Sequence, residues 1–239
     1  MTHAPAPAPG PSGLLLIDKP LRRTSMDVCR SVRRRLIAAG APKRVKVGHA
    51  GTLDPLATGL LVVMVGKATR LCAQVMDGTK EYLAEADLSF FTATDDLEAP
   101  PEPVAVATPP TRLAVEAAAR ALTGLVMQAP PAYSAMKIGG ERAYRLARSG
   151  AAVRPEARPV RIEALDILSY AWPHLALRIL CGKGTYIRSL ARDLGRSLGT
   201  GGCLISLRRT RTGPFDVAAA TPLEALPPTL AQADLLPVP

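Results

Sequence analysis

Few side chains in this sequence have the type and setting to do chemistry, and Asp54 is foremost among them. It lies in the stretch Val45 to Gly66, VKVGHAGTLDPLATGLLVVMVG, with His49 just before it. An ionised carboxylate serves as a nucleophile or a general base. Pro55 fixes the backbone φ directly after it. Gly48, Gly51 and Gly59 allow the chain to turn sharply or to approach a ligand. Leu60 to Val65 is an unbroken apolar run that reads as a buried strand. An Asp-Pro pair in a loop is equally ordinary turn chemistry, so the rest of the chain must decide between the two.

Other chemical patterns are weak. Gly182-Lys183-Gly184-Thr185 lacks the spacing of a phosphate-binding P-loop, and Gly199-Thr200-Gly201-Gly202 is no closer to one. There is no H-E-x-x-H, no G-x-S-x-G and no paired-histidine metal pattern. Cys29, Cys72, Cys181 and Cys203 are scattered without a C-x-x-C, so they read as reduced, mostly buried thiols. His3 falls in a Pro/Ala tail, and His174 stands alone at the start of a strand.

The elements that must hold Asp54 are legible around it. Residues 1–12 read as a disordered Pro/Ala tail and 13–239 as one domain. Leu14 to Ile17 is a short buried strand, closed by Asp18-Lys19-Pro20. A helix follows, with Thr24 or Ser25 as its cap and Asp27 in its first turn. Its apolar stripe is Val28, Val32 and Leu36, and Arg30, Arg33, Arg34 and Arg35 lie mostly off that stripe. After the loop and its strand, Gly66 to Arg70 leads into a helix that runs through Met76. Lys80 to Ser89 alternates with the strand period, placing Tyr82, Ala84, Ala86 and Leu88 on one face.

Residues 99–110 form a proline-rich surface connector, and Thr111 caps a helix that Gly124 stops. Gly124 to Val153 reads as irregular, with Arg142, Tyr144, Arg145 and Arg148 interleaving charge and aromatic rings. That mixture suits looped or single-stranded RNA, and it equally suits a solvated helix face with Tyr144 turned inward. Strands near 160–168 and 174–181 precede an amphipathic helix. Ile187, Leu190, Ala191, Leu194 and Leu198 line its core side, with Arg188, Arg192 and Arg196 on another side. Cys203 to Leu207 is a further strand running into Arg208-Arg209. The irregular alternation predicts an α+β fold: one large, mostly antiparallel mixed sheet flanked by helices.

The chain has 239 residues, is 48% hydrophobic and carries a net charge of +10. A sizeable core is therefore possible, and an anionic partner is expected. No run approaches the roughly 18 apolar residues of a spanning helix, and the N-terminus is not a signal peptide. A cytoplasmic protein without a membrane role is the expectation.

GHAGTLDPLATGLLVVMVGKAT closely resembles the signature of the TruB-type tRNA pseudouridine synthases. Further family motifs occur in the same order: Gly13 to Pro20, Lys80-Glu81-Tyr82, Tyr133-Ser134-Ala135-Met136-Lys137, Ala157 to Val160, Gly182 to Arg188 and Leu207-Arg208-Arg209. The resemblance spans about residues 13–225. It implies the pseudouridine-synthase fold and conversion of uridine to pseudouridine in the T loop of tRNA, usually at position 55, without cofactor or metal.

By the same resemblance Asp54 is the catalytic carboxylate. Attack on ribose C1′, addition to the base and abstraction of a ribose proton all stay open for it. Arg188 would pair with it, and Tyr82 would pack on the target uracil and handle the C5 proton. Tyr186 and Leu207 would line the pocket, and Lys19 would support the loop. His49 would take the place of the extruded base in the RNA stack. Residues 124–153 would close over the RNA, and Lys43, Arg44, Lys67, Arg142, Arg145, Arg148 and Arg209 would meet phosphates. The partner implied is the T arm of tRNA, and the protein is expected to be a monomer.

Two features depart from the family pattern. Many members carry a C-terminal PUA or similar RNA-binding domain, for which the residues before Pro239 leave no room, so a minimal enzyme is expected. Phe90 to Leu97 lacks a glycine usual at the end of that strand, which leaves the path of that loop open. The alternative is a non-catalytic RNA-binding or RNA-folding protein, which would need neither Asp54, Arg188 nor Tyr82.

Overall fold

A computed structural model describes residues 10–134, 136–138, 141–142, 146 and 155–238, with the backbone alone at 137, 138 and 142. The chain packs as two compact units, one of residues 1–77 with 214–239 and the other of 78–213.

The first unit is built on three strands. β1 (Gly13–Lys19) pairs antiparallel with β3 (Ala57–Val65) from Gly13 opposite Val65 to Lys19 opposite Gly59. β2 (Val47–Ala50) pairs antiparallel with the far half of β3, setting His49 opposite Val63. A short strand at Thr221–Pro222 adds to β1 in parallel. β3 is buried along nearly its whole length, which is why its sequence is apolar without alternation. Leu14, Leu16, Ala50, Leu60, Val62 and Met64 form the core on one face.

α1 (Ser25–Ala38) buries Val28, Val32 and Leu36, the stripe read from the sequence. Thr24 is its N-cap: the Asp27 N–H donates to the Thr24 hydroxyl (3.0 Å), and the Thr24 N–H donates back to the Asp27 carboxylate (2.9 Å). This reciprocal box satisfies two groups that a helix start otherwise leaves unpaired. The expected helix after β3 begins as a 3-10 turn over Gly66–Leu71 and becomes α2 (Cys72–Asp77).

In the second unit, β4 (Lys80–Asp87) is followed by a small hairpin of β5 (Phe90–Phe91) with β6 (Glu102–Pro103). Next come α3 (Arg112–Ala121), capped by Thr111, and β7 (Gly124–Gln128). β8 (Lys137–Ile138) and β9 (Glu141–Arg142) form a second hairpin. β10 (Arg158–Ala171), β11 (His174–Cys181), α4 (Ile187–Leu198) and β12 (Cys203–Thr212) complete the unit. Its main sheet runs β12-β4-β11-β10-β7 with every pair antiparallel.

The α+β class and the dominance of antiparallel pairing agree with the sequence reading, and the parallel strand at Thr221–Pro222 supplies the mixed character. The start of the segment read as irregular is instead an edge strand, β7. Its partner residues are 158–162, too far along the chain for local pattern to reveal. β12 is also longer than expected and takes in Arg208 to Thr212.

Cys29, Cys181 and Cys203 are buried free thiols, each pushed up to about 11 by burial. Among the described residues no helix is long and apolar enough to cross a membrane.

Candidate active site

In the first unit, Asp54 lies half-buried on the loop between β2 and β3. Gly51 enters that loop at φ 90°, a conformation that a side chain would strain. Leu53, 3% exposed, pegs the loop into the core. The Ser25 hydroxyl at the start of α1 accepts from the Leu53 N–H (2.9 Å) and donates to the Leu53 carbonyl (3.1 Å). The Arg22 N–H donates to the Pro55 carbonyl at 2.8 Å, and the Ala57 N–H to the Asp54 carbonyl at 3.1 Å. Arg22 holds φ 62° to do so, an uncommon conformation for a residue with a side chain.

Lys19 supports this clamp. It is fully buried, and its ammonium donates to the carbonyls of Pro20 (3.0 Å) and Arg23 (2.7 Å). Those bonds fix the turn from which Arg22 reaches Pro55. The resemblance gives Lys19 a loop-supporting place, and these bonds are among the contacts that its ammonium makes. His49 is half-buried on β2, where its carbonyl faces the Cys72 thiol at 3.6 Å. Lys67, Lys43 and Arg44 are exposed in the same unit.

In the second unit, Tyr82, 9% exposed, sits on β4 opposite Ile179 on one side and Arg209 on the other. Leu207 lies opposite Ala84, so Tyr82, Leu207 and Arg209 point to one face of the sheet. Arg209 is only 1% exposed. The sequence reading put Arg209 among surface phosphate contacts, whereas in the fold this residue is buried.

Arg188 and Arg192 differ from the sequence reading in the same direction. The four-residue spacing does place them on a common side of α4, but that side is buried, at 7% and 8% exposure. Arg188 donates to the carbonyls of Thr94 (2.9 Å) and Tyr133 (3.1 Å) and lies 3.6 Å from the Asp96 carboxylate. Arg192 donates to Asp95 (2.7 Å), Asp193 (3.0 Å) and the Ala129 carbonyl (2.8 Å). Burial pushes the Asp95 carboxyl up, against the pull of Arg192 and Arg188. Burying two guanidiniums is tolerable because carbonyls and carboxylates meet their N–H groups.

The loop that supplies these partners is the one whose path the sequence left open. Thr92 and Thr94 hydroxyls donate to the Asp96 carbonyl (2.7 and 3.1 Å), and Asp95 takes φ 61°, which Asp tolerates better than most residues. Gly201 approaches so closely that an added Cβ would fall 2.2 Å from the Phe90 nitrogen. Gly201 and Gly202 thus serve close packing, and Gly199 caps α4 at φ 69°.

Tyr186, half-buried at the N-cap of α4, exchanges two hydrogen bonds with the Gln128 side chain: its N–H donates (2.8 Å) and its carbonyl accepts (3.2 Å). The Arg158 guanidinium lies over its ring, 5.5 Å from the centroid. Asp95, Asp96 and Gln128 were not singled out from sequence, and Ser25 was read only as a candidate helix cap. The adjacent acids in Thr94-Asp95-Asp96 were the one available signal, two carboxylates in a short loop of a basic chain. Arg145 and Arg148 lie outside the described residues, and Arg142 is described by its backbone alone.

The fold is that of the pseudouridine synthases. A profile of the TruB family pseudouridylate synthase N-terminal domain matches residues 34–187, and one of the tRNA pseudouridylate synthase B C-terminal domain matches 188–234. The tRNA pseudouridine synthase B of Aromatoleum aromaticum is 46% identical over 221 residues, covering 90% of this chain and 68% of that protein. That of Phocaeicola vulgatus is 40% identical, covering 93% and 94%. Among solved structures, a chain of a Cbf5-Nop10-Gar1 complex superposes with a TM-score of 0.66 at 26% identity, over 92% of this chain. This chain spans 58% of that longer one. The chain belongs to the TruB family of pseudouridine synthases, which are isomerases.

Proposed function

We propose that the protein isomerises uridine 55 in the T loop of tRNA to pseudouridine, with Asp54 as the catalytic carboxylate. The observation that carries this reading is a half-buried Asp at the tip of a loop clamped through Ser25, Arg22 and Lys19. A clamped backbone fixes where a carboxylate points, which suits a group that must meet a substrate.

In the proposed reaction the bond from N1 to ribose C1′ breaks and the uracil turns. C5 then bonds to C1′; C5 loses its proton and N1 gains one. Nothing is oxidised and no group is consumed, so the proposal assigns no cofactor. Arg188 acts as the cation that pairs with Asp54. Tyr82 packs on the uracil and handles the C5 proton, while Tyr186 and Leu207 line the pocket. The base must leave its stack, at a cost of roughly a few kcal/mol, and His49 fills the vacated place. Lys67 and the basic segment within 124–153 contact the RNA backbone.

The test is incubation with a T-arm stem-loop RNA without added metal or nucleotide, followed by chemical mapping of pseudouridine. Wild type modifies the target uridine. Asp54→Asn slows the reaction by on the order of 10⁴-fold and keeps RNA affinity within about threefold of wild type. An Asp54→Asn protein that still works at near wild-type rate removes Asp54 from the mechanism.

A further inference from the structure

The outer face of α1 carries more positive charge than the fold needs. Arg23, Arg30, Arg33, Arg34 and Arg35 line one cleft of about 500 Å³, closed on its far side by the C-terminal segment at Leu223 and Glu224. Only two carboxylates, Asp27 and Glu224, face these five guanidiniums. Asp27 is already engaged: it accepts from Thr24 in the helix cap and from Arg30 at 2.6 Å. Arg35 is engaged as well, donating to the Pro227 carbonyl at 3.0 Å and to Ser31.

Arg33 and Arg34 are exposed, and among the described residues no ion pair holds either of them. Arg30 and Arg34 stand four residues apart on the helix, where like charges repel. An isolated domain gains nothing from this arrangement, whereas a polyanion laid along the cleft relieves it. The lining is arginine without lysine, and the planar fork of arginine matches a phosphate in two bonds. Leu223 is its single apolar residue and it holds no aromatic ring. Five clustered guanidiniums with no ring for a base to stack on suit phosphate contacts above all.

The cleft is also fixed with respect to Asp54. Ser25 and Arg22, at the start of α1, are the residues that clamp the Asp54 loop. From Arg30 to Arg34 the row runs about 6 Å along the helix axis, and Arg23 extends it past the N-cap Thr24. We propose that this arginine cleft on α1 grips the sugar–phosphate backbone of the substrate RNA, apart from the groups that handle the target base. The assignment rests on the isomerase reading above for the identity of the RNA, but its test does not depend on turnover.

The experiment compares wild type with Arg33→Gln/Arg34→Gln and with the charge-reversed Arg33→Glu/Arg34→Glu. Binding of an unmodified tRNA transcript is measured across a KCl series, with kcat at saturating RNA measured beside it. The Gln pair is expected to weaken binding about tenfold. Its dependence of log Kd on log salt should be shallower by roughly 1.4 to 1.8, the share of two phosphate contacts. The Glu pair weakens binding further, and kcat is unchanged in both. Unchanged affinity and slope overturn the proposal and leave the cleft to solvent or to a partner that is not RNA. A fall in kcat with affinity intact overturns it too. If wild type binds tRNA through these arginines yet forms no pseudouridine, the cleft assignment stands and the isomerase reading fails.

Discussion

Asp54 and Arg188 carry opposite charges, and the two units hold them in opposite ways. Asp54 sits half-buried on a loop whose neighbours are clamped: Leu53 by the Ser25 hydroxyl, Pro55 by the Arg22 N–H. Arg188 is buried on a helix, and its own guanidinium makes the bonds, to two backbone carbonyls and beside Asp96. The Asp54 loop is positioned through backbone groups on either side of the carboxylate. A buried cation is instead positioned through its charged atoms, because those atoms need partners wherever they are.

The widest break in that comparison is between activity and stability. Asp54→Asn, with its on the order of 10⁴-fold loss of rate, should cost less stability than the loss of Arg188, because the bonds that clamp its loop come from Ser25 and Arg22 and stay in place. Arg188→Met should lose activity and stability together. It leaves the carbonyls of Thr94 and Tyr133 and the Asp96 carboxylate buried without the guanidinium, at a cost of about 3–5 kcal/mol. Urea unfolding beside single-turnover pseudouridine formation separates the two. Equal destabilisation by both substitutions would erase the contrast between the units. Arg188→Lys sharpens it: the charge is kept but the fork that serves two carbonyls is lost, so stability recovers in part while activity stays low.

Asp95→Ala comes next. Arg192 loses its 2.7 Å partner but keeps Asp193 and the Ala129 carbonyl, so the cost falls to roughly 2–4 kcal/mol. On the other unit Ser25→Ala removes both the donor and the acceptor that meet Leu53. A loss of about 1–3 kcal/mol is expected, with a fall in kcat larger than any change in RNA affinity as the Asp54 loop loosens. Full kcat in Ser25→Ala would show that the loop is held well enough without that hydroxyl.

The contrast between the units also explains what could be read from sequence. β3, α1 and the Thr24 cap follow from local pattern, since an apolar run and a three-to-four periodicity are written within a few residues. Asp54 stood out because Gly51, Pro55 and the strand after it are contiguous with it. The setting of Arg188 was hidden. Its spacing with Arg192 marks a face of α4 but does not say that Asp95 and Asp96, almost a hundred residues earlier, bury that face. β7 was hidden for a related reason. Leu125 and Met127 alternate outward as apolar residues, at 74% and 66% exposure, so hydrophobicity runs against the usual inside-outside code. Arg209 was misplaced because a run of basic residues reads as surface, whereas strand alternation turns one of them inward opposite Tyr82.

The smallest expected effect concerns the solvent side of β4, where charge is held neither by backbone clamping nor by deep burial. The Thr210 hydroxyl donates to Glu81 at 2.8 Å and Arg178 donates at 3.1 Å. The Thr210 bond first, and Arg178 after it, hold the Glu81 carboxyl below its usual range, against a partial burial that pushes it up. A carboxylate with a depressed folded pKa adds stability above its unfolded pKa and loses it as pH falls through the folded one. Thr210→Val removes the largest of these causes while keeping a branched side chain suited to the strand. It should cost about 1 kcal/mol at pH 7. The difference from wild type should hold down to the ordinary glutamate range and shrink below it, as Glu81 becomes protonated in both proteins. Urea midpoints at pH 7 and pH 3 read this directly. A difference of the same size at both pH values would mean that Thr210 stabilises the strand by packing alone, not through the charge on Glu81.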